Sequence, residues 1–300
     1  MIVPDYLKKG DLIRIVSPSG KIQEEKVHPA AKQLRKEGLE VIAGEHVFDT
    51  YFQFAGTDRQ RLDDLQTAFD DPQCKAIICS RGGYGAIRIA TRINFEKFVK
   101  NPKWVVGFSD ITVLHALLQR ERICSIHGAM TAFYLKEDKP TESYLELLKL
   151  LKGEKKEIQA PACDFNRSGA ANGQLTGGNL SILYSMLGTS MSPDTDGKIL
   201  FIEDISEYLY HLDRMMHALK LAGKLKNLKG LVAGGFTEMS DNESPFGLSI
   251  EEIILDAVKE YNYPVCFNFP SGHLDRNMPL VFGAGYQLKV SREGSSLRME

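Results

Sequence analysis

The 300-residue chain holds no run of 18 apolar residues, which excludes a membrane-spanning helix of ordinary length. Its start, Met1-Ile2-Val3-Pro4-Asp5, shows no basic segment, apolar core or small-residue cleavage site, so the expected compartment is the cytoplasm. There is no basic surplus either: the net charge is −2 and the Lys and Arg residues are scattered, which argues against a nucleic-acid partner. Cysteine is scarce and odd in number. Cys74, Cys79, Cys124, Cys163 and Cys266 form no C-x-x-C pair, and four of them lie in or beside apolar runs. These are expected to be buried thiols, with neither a disulfide framework nor a zinc site. Internal repeats and low-complexity tracts are absent, as are G-x-G-x-x-G and G-x-x-x-x-G-K-[ST], so a nucleotide site has little support.

What is present is apolar sequence, 43% of the residues, enough for two cores. Leu12 to Val16, Leu39 to Ala43, Ala76 to Cys79, Trp104 to Val106 and Ile123 to Ile126 read as buried strands. Between them lie helical patterns around Lys26 to Glu37, Asp58 to Phe69, from about Ala86, and Ile111 to Arg120. This alternation predicts an α/β fold with a largely parallel sheet, whose ligands bind beyond the strand C-termini. A helix is expected over Glu142 to Leu151. The charged stretch beyond it, including Lys152-Gly153-Glu154-Lys155-Lys156-Glu157, reads as a connection, so the expected division is 1–150, a linker over 151–168, and 169–300. The second part has strands near Ala170 to Leu175, Ile199 to Ile202, Gly230 to Ala233 and Val265 to Phe269, an alternating tail at Tyr286 to Val290, and helices near Leu180 to Leu187, Leu209 to Ala222 and Ile250 to Tyr261. Two unlike lobes with a cleft between them are expected.

Gly107-Phe108-Ser109-Asp110 places a serine where a strand hands over to a helix. Such an elbow lifts a hydroxyl above the sheet edge beside free helix N-terminal amides, which suits a nucleophile. The elbow pattern G-x-S-x-G is not complete, since Ile111 stands in its last position, and Ser109 reads equally as a helix N-cap. Ser80-Arg81-Gly82-Gly83-Tyr84-Gly85 follows another strand of the same sheet, so its backbone amides emerge on the same edge. It is either a tight turn or a cradle, in which the Gly83 and Asp110 amides form an oxyanion hole around whatever Ser109 attacks.

A serine nucleophile needs a base. Of seven histidines, His28 and His46 sit in polar loops, His115, His211 and His217 lie inside helical patterns, and His127 ends a strand. His273, in Phe269-Pro270-Ser271-Gly272-His273 directly after a strand, is the best placed. Glu203, at the end of Ile199-Leu200-Phe201-Ile202-Glu203-Asp204, is placed to orient it, or is an exposed strand end.

Arg81-Gly82-Gly83-Tyr84-Gly85, Gly107-Phe108-Ser109-Asp110, Gly177-Gly178-Asn179-Leu180, Leu200-Phe201-Ile202-Glu203-Asp204 with Asp213-Arg214-Met215, and Gly272-His273 together resemble the LD-carboxypeptidase family. These serine peptidases include the microcin C self-immunity enzymes. The resemblance runs from about Asp11 to the C-terminal strands. It implies a flavodoxin-like or glutamine-amidotransferase-like parallel-sheet N-terminal lobe and a smaller mixed α/β C-terminal lobe. It also implies a triad of Ser109, His273 and Glu203, an oxyanion hole at Gly83 and Asp110, no metal or cofactor, and release of D-alanine from murein tetrapeptides. Homodimers occur in the family. The chain departs from many members in having Ala129 after His127-Gly128 and in a short segment between Leu187 and Ile199. Microcin-type enzymes resemble each other in a longer, aromatic-bearing loop there, whereas Trp104 is the one tryptophan here, which favours the murein branch.

A carboxypeptidase also binds a free carboxylate, and Arg81 and Arg214 are candidates, each also readable as half of a surface ion pair. Tyr84 either contacts substrate or packs against the cleft wall. The competing readings are a microcin-type acyl-peptide amidase, an α/β-hydrolase-like esterase, which shares the order Ser, acid, His but should show G-x-S-x-G, and a two-lobed protein that binds a peptide or sugar without cutting it.

Overall fold

The structure, a computed structural model, describes residues 1–154 and 157–300. The elements in chain order begin with β1 (Leu12–Val16), α1 (Glu24–Lys36), β2 (Glu40–Ala43), α2 (Asp58–Asp70), β3 (Cys74–Cys79), α3 (Ala86–Ala90) and α4 (Glu96–Lys100). There follow β4 (Trp104–Gly107), a 3-10 turn (Ser109–Ile111), α5 (Thr112–Arg120), β5 (Ser125–His127), the short hairpin β6 (Leu135–Lys136) and β7 (Lys139–Pro140), and α6 (Glu142–Leu151). The remainder comprises β8 (Glu157–Ala160), β9 (Gly169–Asn179), α7 (Leu180–Ser185), β10 (Ile199–Ile205), α8 (Leu209–Leu221), β11 (Gly230–Thr237), α9 (Ile250–Ala257), β12 (Val265–Cys266), β13 (Leu280–Phe282), β14 (Gly285–Val290) and β15 (Ser295–Met299).

Two compact units result, one of residues 1–154 with Met278–Val281, the other of residues 157–277 with Phe282–Glu300. The first sheet runs β13-β5-β4-β3-β1-β2, and its pairs from β2 through β5 are all parallel. Its central strands are buried on both faces, which is why they read as unbroken apolar runs rather than alternating ones. α1 turns Val27, Ala30, Ala31 and Leu34 inward, and α2 opens on a capping box between Thr57 and Gln60. Because β1, β3 and β4 are parallel, the loops after them emerge on one edge, and that edge carries Ser19, the Ser80–Gly85 turn and Ser109.

The second sheet runs β12-β11-β10-β9-β14-β15-β8 and is mixed, with β9 to β12 parallel and β14, β15 and β8 joined antiparallel. β9 and β10 approach closely because Gly177 (φ +130°) has no side chain: a Cβ there would stand 1.9 Å from the Phe201 carbonyl oxygen.

Some expectations are corrected. Within the linker expected over 151–168, Lys155 and Lys156 lie outside the described residues, but Glu157–Ala160 forms a strand with Ile158 and Ala160 buried. Asn166 is also fixed, its Nδ2 donating to Ser291 O at 2.7 Å and its Oδ1 accepting from Phe267 N at 2.9 Å. The strand expected to reach Phe269 stops at Cys266. Cys74, Cys79, Cys124 and Cys266 are buried free thiols, and Cys163 is half-buried. Among the described residues no helix is long and apolar enough to cross a membrane.

Candidate active site

Ser109 adopts φ +64°, a left-handed conformation that strains a residue with a Cβ by about 1–3 kcal/mol. An N-cap sits in the extended region instead, and neither the 3-10 turn nor α5 has a side-chain cap at its start, so the capping alternative is not what the fold builds. The elbow dispenses with a second glycine because Gly107 alone makes the room: a Cβ on it would stand 2.8 Å from Ile111 Cγ1. The Gly107 carbonyl is held twice, by Gly128 N at 3.1 Å and by the Nε2–H of buried His115 at 2.9 Å. His115 Nδ1 accepts from Ser125 Oγ at 2.8 Å, and burial lowers this histidine's pKa to about 4, so the ring is neutral.

The residue lying against Ser109 is Gly82. A Cβ on Gly82 would stand 3.0 Å from Ser109 Cβ and 3.1 Å from its Oγ. Gly83 (φ +104°) follows, and among the described residues the amides of Gly83 and Asp110 donate to no acceptor. The Gly82 carbonyl accepts from Gly20 N at 3.1 Å. In a trans peptide the Gly83 N–H therefore points away from Gly20. The Asp110 carboxylate is buried, with Oδ2 accepting from Ser19 Oγ at 2.6 Å and Ala86 N at 2.8 Å. Burial raises its pKa above the ordinary Asp range, opposed by those hydrogen bonds. Arg81 is exposed, donates Nη1 to Lys21 O at 3.0 Å, and keeps Nη2 3.9 Å from where a Gly83 Cβ would stand. Tyr84 is half-exposed, its ring 6.0 Å from that of Phe54.

In the second unit Glu203 is 0% exposed, so it is not an open strand end. The register of β10 on β11 shifts at this point, Ile202 facing Ala233 but Asp204 facing Phe236. The extra β11 residue falls in Gly234-Gly235, where bare backbone admits the following loop: Gly235 N donates to Ser271 O at 2.9 Å, and a Gly234 Cβ would meet that oxygen at 2.4 Å. Gly272 (φ +107°) presses on Glu203, and its amide donates to Asn277 Oδ1 at 3.0 Å. This brings His273 Nδ1 to 2.6 Å from Glu203 Oε2, with the His273 amide 3.3 Å from the same oxygen. Nδ1 is thereby the protonated nitrogen and Nε2 the basic one. Burial works against the charged ring, but the hydrogen bond and charge of Glu203 outweigh it and raise the His273 pKa above 6.5.

Asp204, on the other face of β10, accepts from Asn179 Nδ2 and Ser181 N at 2.9 Å each and titrates near 6 because of its burial and the neighbouring Glu203 charge. Arg214 extends from α8 to the surface, its guanidinium 5.2 Å from the Tyr210 ring centroid. Among the described residues neither Arg81 nor Arg214 forms an ion pair. Ser19, the Asp110 side chain and the packing of Gly82 on the serine lie outside the roles expected from the sequence. The signal was available for Ser19, which follows β1 as the glycine turn follows β3.

Two family models match: LD-carboxypeptidase N-terminal domain over residues 13–128, and LD-carboxypeptidase C-terminal domain over residues 172–288. The chain is 36% identical over 286 residues to a probable murein peptide carboxypeptidase of Bacillus subtilis, covering 94% of this chain and 89% of that one. It is 29% identical to the murein tetrapeptide carboxypeptidase of Pseudomonas aeruginosa, covering 93% and 94%. The structure of the muramoyltetrapeptide carboxypeptidase from Oxalobacter formigenes superposes with a TM-score of 0.87 at 29% identity, covering 96% and 98%. A microcin C7 self-immunity protein shares the fold at 19% identity, TM-score 0.88. With both family models matched in order along most of its length, the chain belongs to the LD-carboxypeptidase family.

Proposed function

We propose that this protein is a serine-type LD-carboxypeptidase that hydrolyses the bond between the L-centre of a diamino acid and the terminal D-alanine of murein tetrapeptides, in the cytoplasmic recycling of peptidoglycan. The observation that carries the reading is Ser109 held at φ +64° beside two undonated amides, in a chain of this family. The named activities of the Bacillus and Pseudomonas relatives supply the substrate class.

In this reading His273 Nε2 takes the proton from Ser109 Oγ as it attacks the scissile carbonyl, and Glu203 holds the ring and stabilises its charged form. The tetrahedral oxyanion accepts from the Gly83 and Asp110 amides, each worth about 100 to 1,000-fold in rate. His273 then protonates the departing D-alanine amine, and water, activated by the same histidine, hydrolyses the acyl-enzyme. Arg81 is favoured over Arg214 for the substrate's terminal carboxylate, since its guanidinium lies beside Gly83 and Arg214 is drawn over Tyr210. The murein branch is favoured over the microcin type because Trp104 is fully buried, its Nε1 donating to Asp5 O, and offers no ring to a nucleotide.

The test is incubation with L-Ala-γ-D-Glu-diaminopimelate-D-Ala, following free D-alanine by mass spectrometry. Wild type should release it and Ser109→Ala should be slower by about 10⁴-fold or more. Failure of wild type to release D-alanine, or undiminished release by Ser109→Ala, would sink the proposal.

A further inference from the structure

Three loops from three strands meet at the Asp110 side chain, and nothing in the triad chemistry calls for a carboxylate there. Asp110 Oδ2 accepts from Ser19 Oγ (2.6 Å), in the loop after β1, and from Ala86 N (2.8 Å), the first residue of α3. Asp110 itself belongs to the elbow after β4. Ala86 closes the Gly82–Gly85 turn, so its amide bond pins the far end of that turn to the elbow. Ser19 precedes Gly20, whose N–H donates to the Gly82 carbonyl at 3.1 Å. That bond sets the plane of the Gly82–Gly83 peptide and therefore the direction of the Gly83 N–H. The turn needs such support, since Gly83 and Gly85 sit at φ +104° and +143° and glycine is otherwise free to leave those conformations. The shared acceptor is fully screened from water: Asp110 is 1% exposed and Ser19 0%.

We infer that the Asp110 carboxylate is the positioning residue of the oxyanion hole, a clamp that holds the Gly83 amide in line with the amide of Asp110 through Ser19 and Ala86. One residue thus supplies an oxyanion donor with its backbone and fixes the other donor with its side chain. The inference rests on the reading of Ser109 as nucleophile. Its predicted signature is loss of transition-state binding without loss of substrate binding.

The experiment compares wild type, Ser109→Ala, Ser19→Ala, Asp110→Ala and Asp110→Asn in tetrapeptide hydrolysis. Affinity is measured in parallel for a tetrapeptide analogue with a boronic acid in place of the scissile carbonyl, a mimic of the tetrahedral oxyanion. Ser19→Ala should lower kcat about 10-fold and Asp110→Ala about 100-fold or more, with KM within about twofold of wild type. Boronate affinity should fall in proportion to kcat/KM. Asp110→Asn, whose amide oxygen can accept both hydrogen bonds, should recover most of the loss. Ser19→Ala removes one hydroxyl and keeps the test alive if Asp110→Ala does not fold. Unchanged kinetics in Ser19→Ala, or a lowered kcat with unchanged boronate affinity, would overturn the clamp. A Ser109→Ala variant that retains activity would instead overturn the nucleophile reading beneath it.

Discussion

Gly82 occupies a position at which any side chain must meet the serine. Because a Cβ there would stand 3.0 Å from Ser109 Cβ, Gly82→Ala should displace the proposed nucleophile by a few tenths of an ångström and lower kcat about 100-fold. The melting midpoint should stay near wild type, since the shift required is only a few tenths of an ångström; paired D-alanine assays and thermal scans check this. In the proposed mechanism the Glu203–His273 pair sets the pH dependence. As the proposed base, His273 would work in its neutral form, and a pKa raised above the ordinary histidine value would keep it protonated, and inactive, where an ordinary histidine has already lost its proton. The acidic limb of kcat/KM should thus have its midpoint above pH 6.5. In Glu203→Gln that limb should move to lower pH, while the plateau falls by about 10²- to 10⁴-fold. A pH–rate profile for the two proteins gives both numbers, and an unmoved limb would show that another group controls it.

At the scale of elements, the junction of β4, α5 and β5 hides a pH-dependent stability in His115. Its native pKa of about 4 lies below the ordinary 6.5, so as pH falls through 6.5 the unfolded chain takes up a proton that the native state refuses. Stability is complete above pH 6.5, falls by about 2 kcal/mol by pH 5, and levels off below pH 4. Asp204 and His273 gain protons over the same range and act oppositely, so the comparison is between proteins: on going from pH 7 to 5 in urea unfolding, wild type should lose about 2 kcal/mol relative to His115→Gln. Of the proposed site residues, Ser109 follows the end of β4, whereas Glu203 lies inside β10 and His273 lies beyond Cys266, the end of β12. β1, β3 and β4 were legible because burial makes them apolar runs. Elements fixed by distant partners were not. β8 has four residues inside a charge run, β13 three between Pro279 and Gly283, and α4 five, too few for a period to declare itself. The same limit applies to the site: Asp110 is visibly next to Ser109, but that its carboxylate faces Ser19, 91 residues earlier, is decided by the order of strands in the sheet.

For the whole molecule, the order of residues in the chain and the order of strands in space part company. The sheet bearing Ser109 ends in β13, contributed by residues more than 120 positions beyond the rest of its unit. A fragment of residues 1–154 lacks that strand and leaves the buried strand β5 as an open edge. It should aggregate, or unfold at lower urea than the full chain, as read by size-exclusion chromatography and circular dichroism. A monomeric fragment as stable as the intact protein would contradict this.

The late arrival of β13 also bears on biosynthesis. A polypeptide leaving the ribosome exposes Ser109 early, yet the sheet under it stays unfinished until residue 282 emerges, after His273 has already been made. A chain cut short before residue 282 therefore carries the serine on an incomplete scaffold even when His273 is already present.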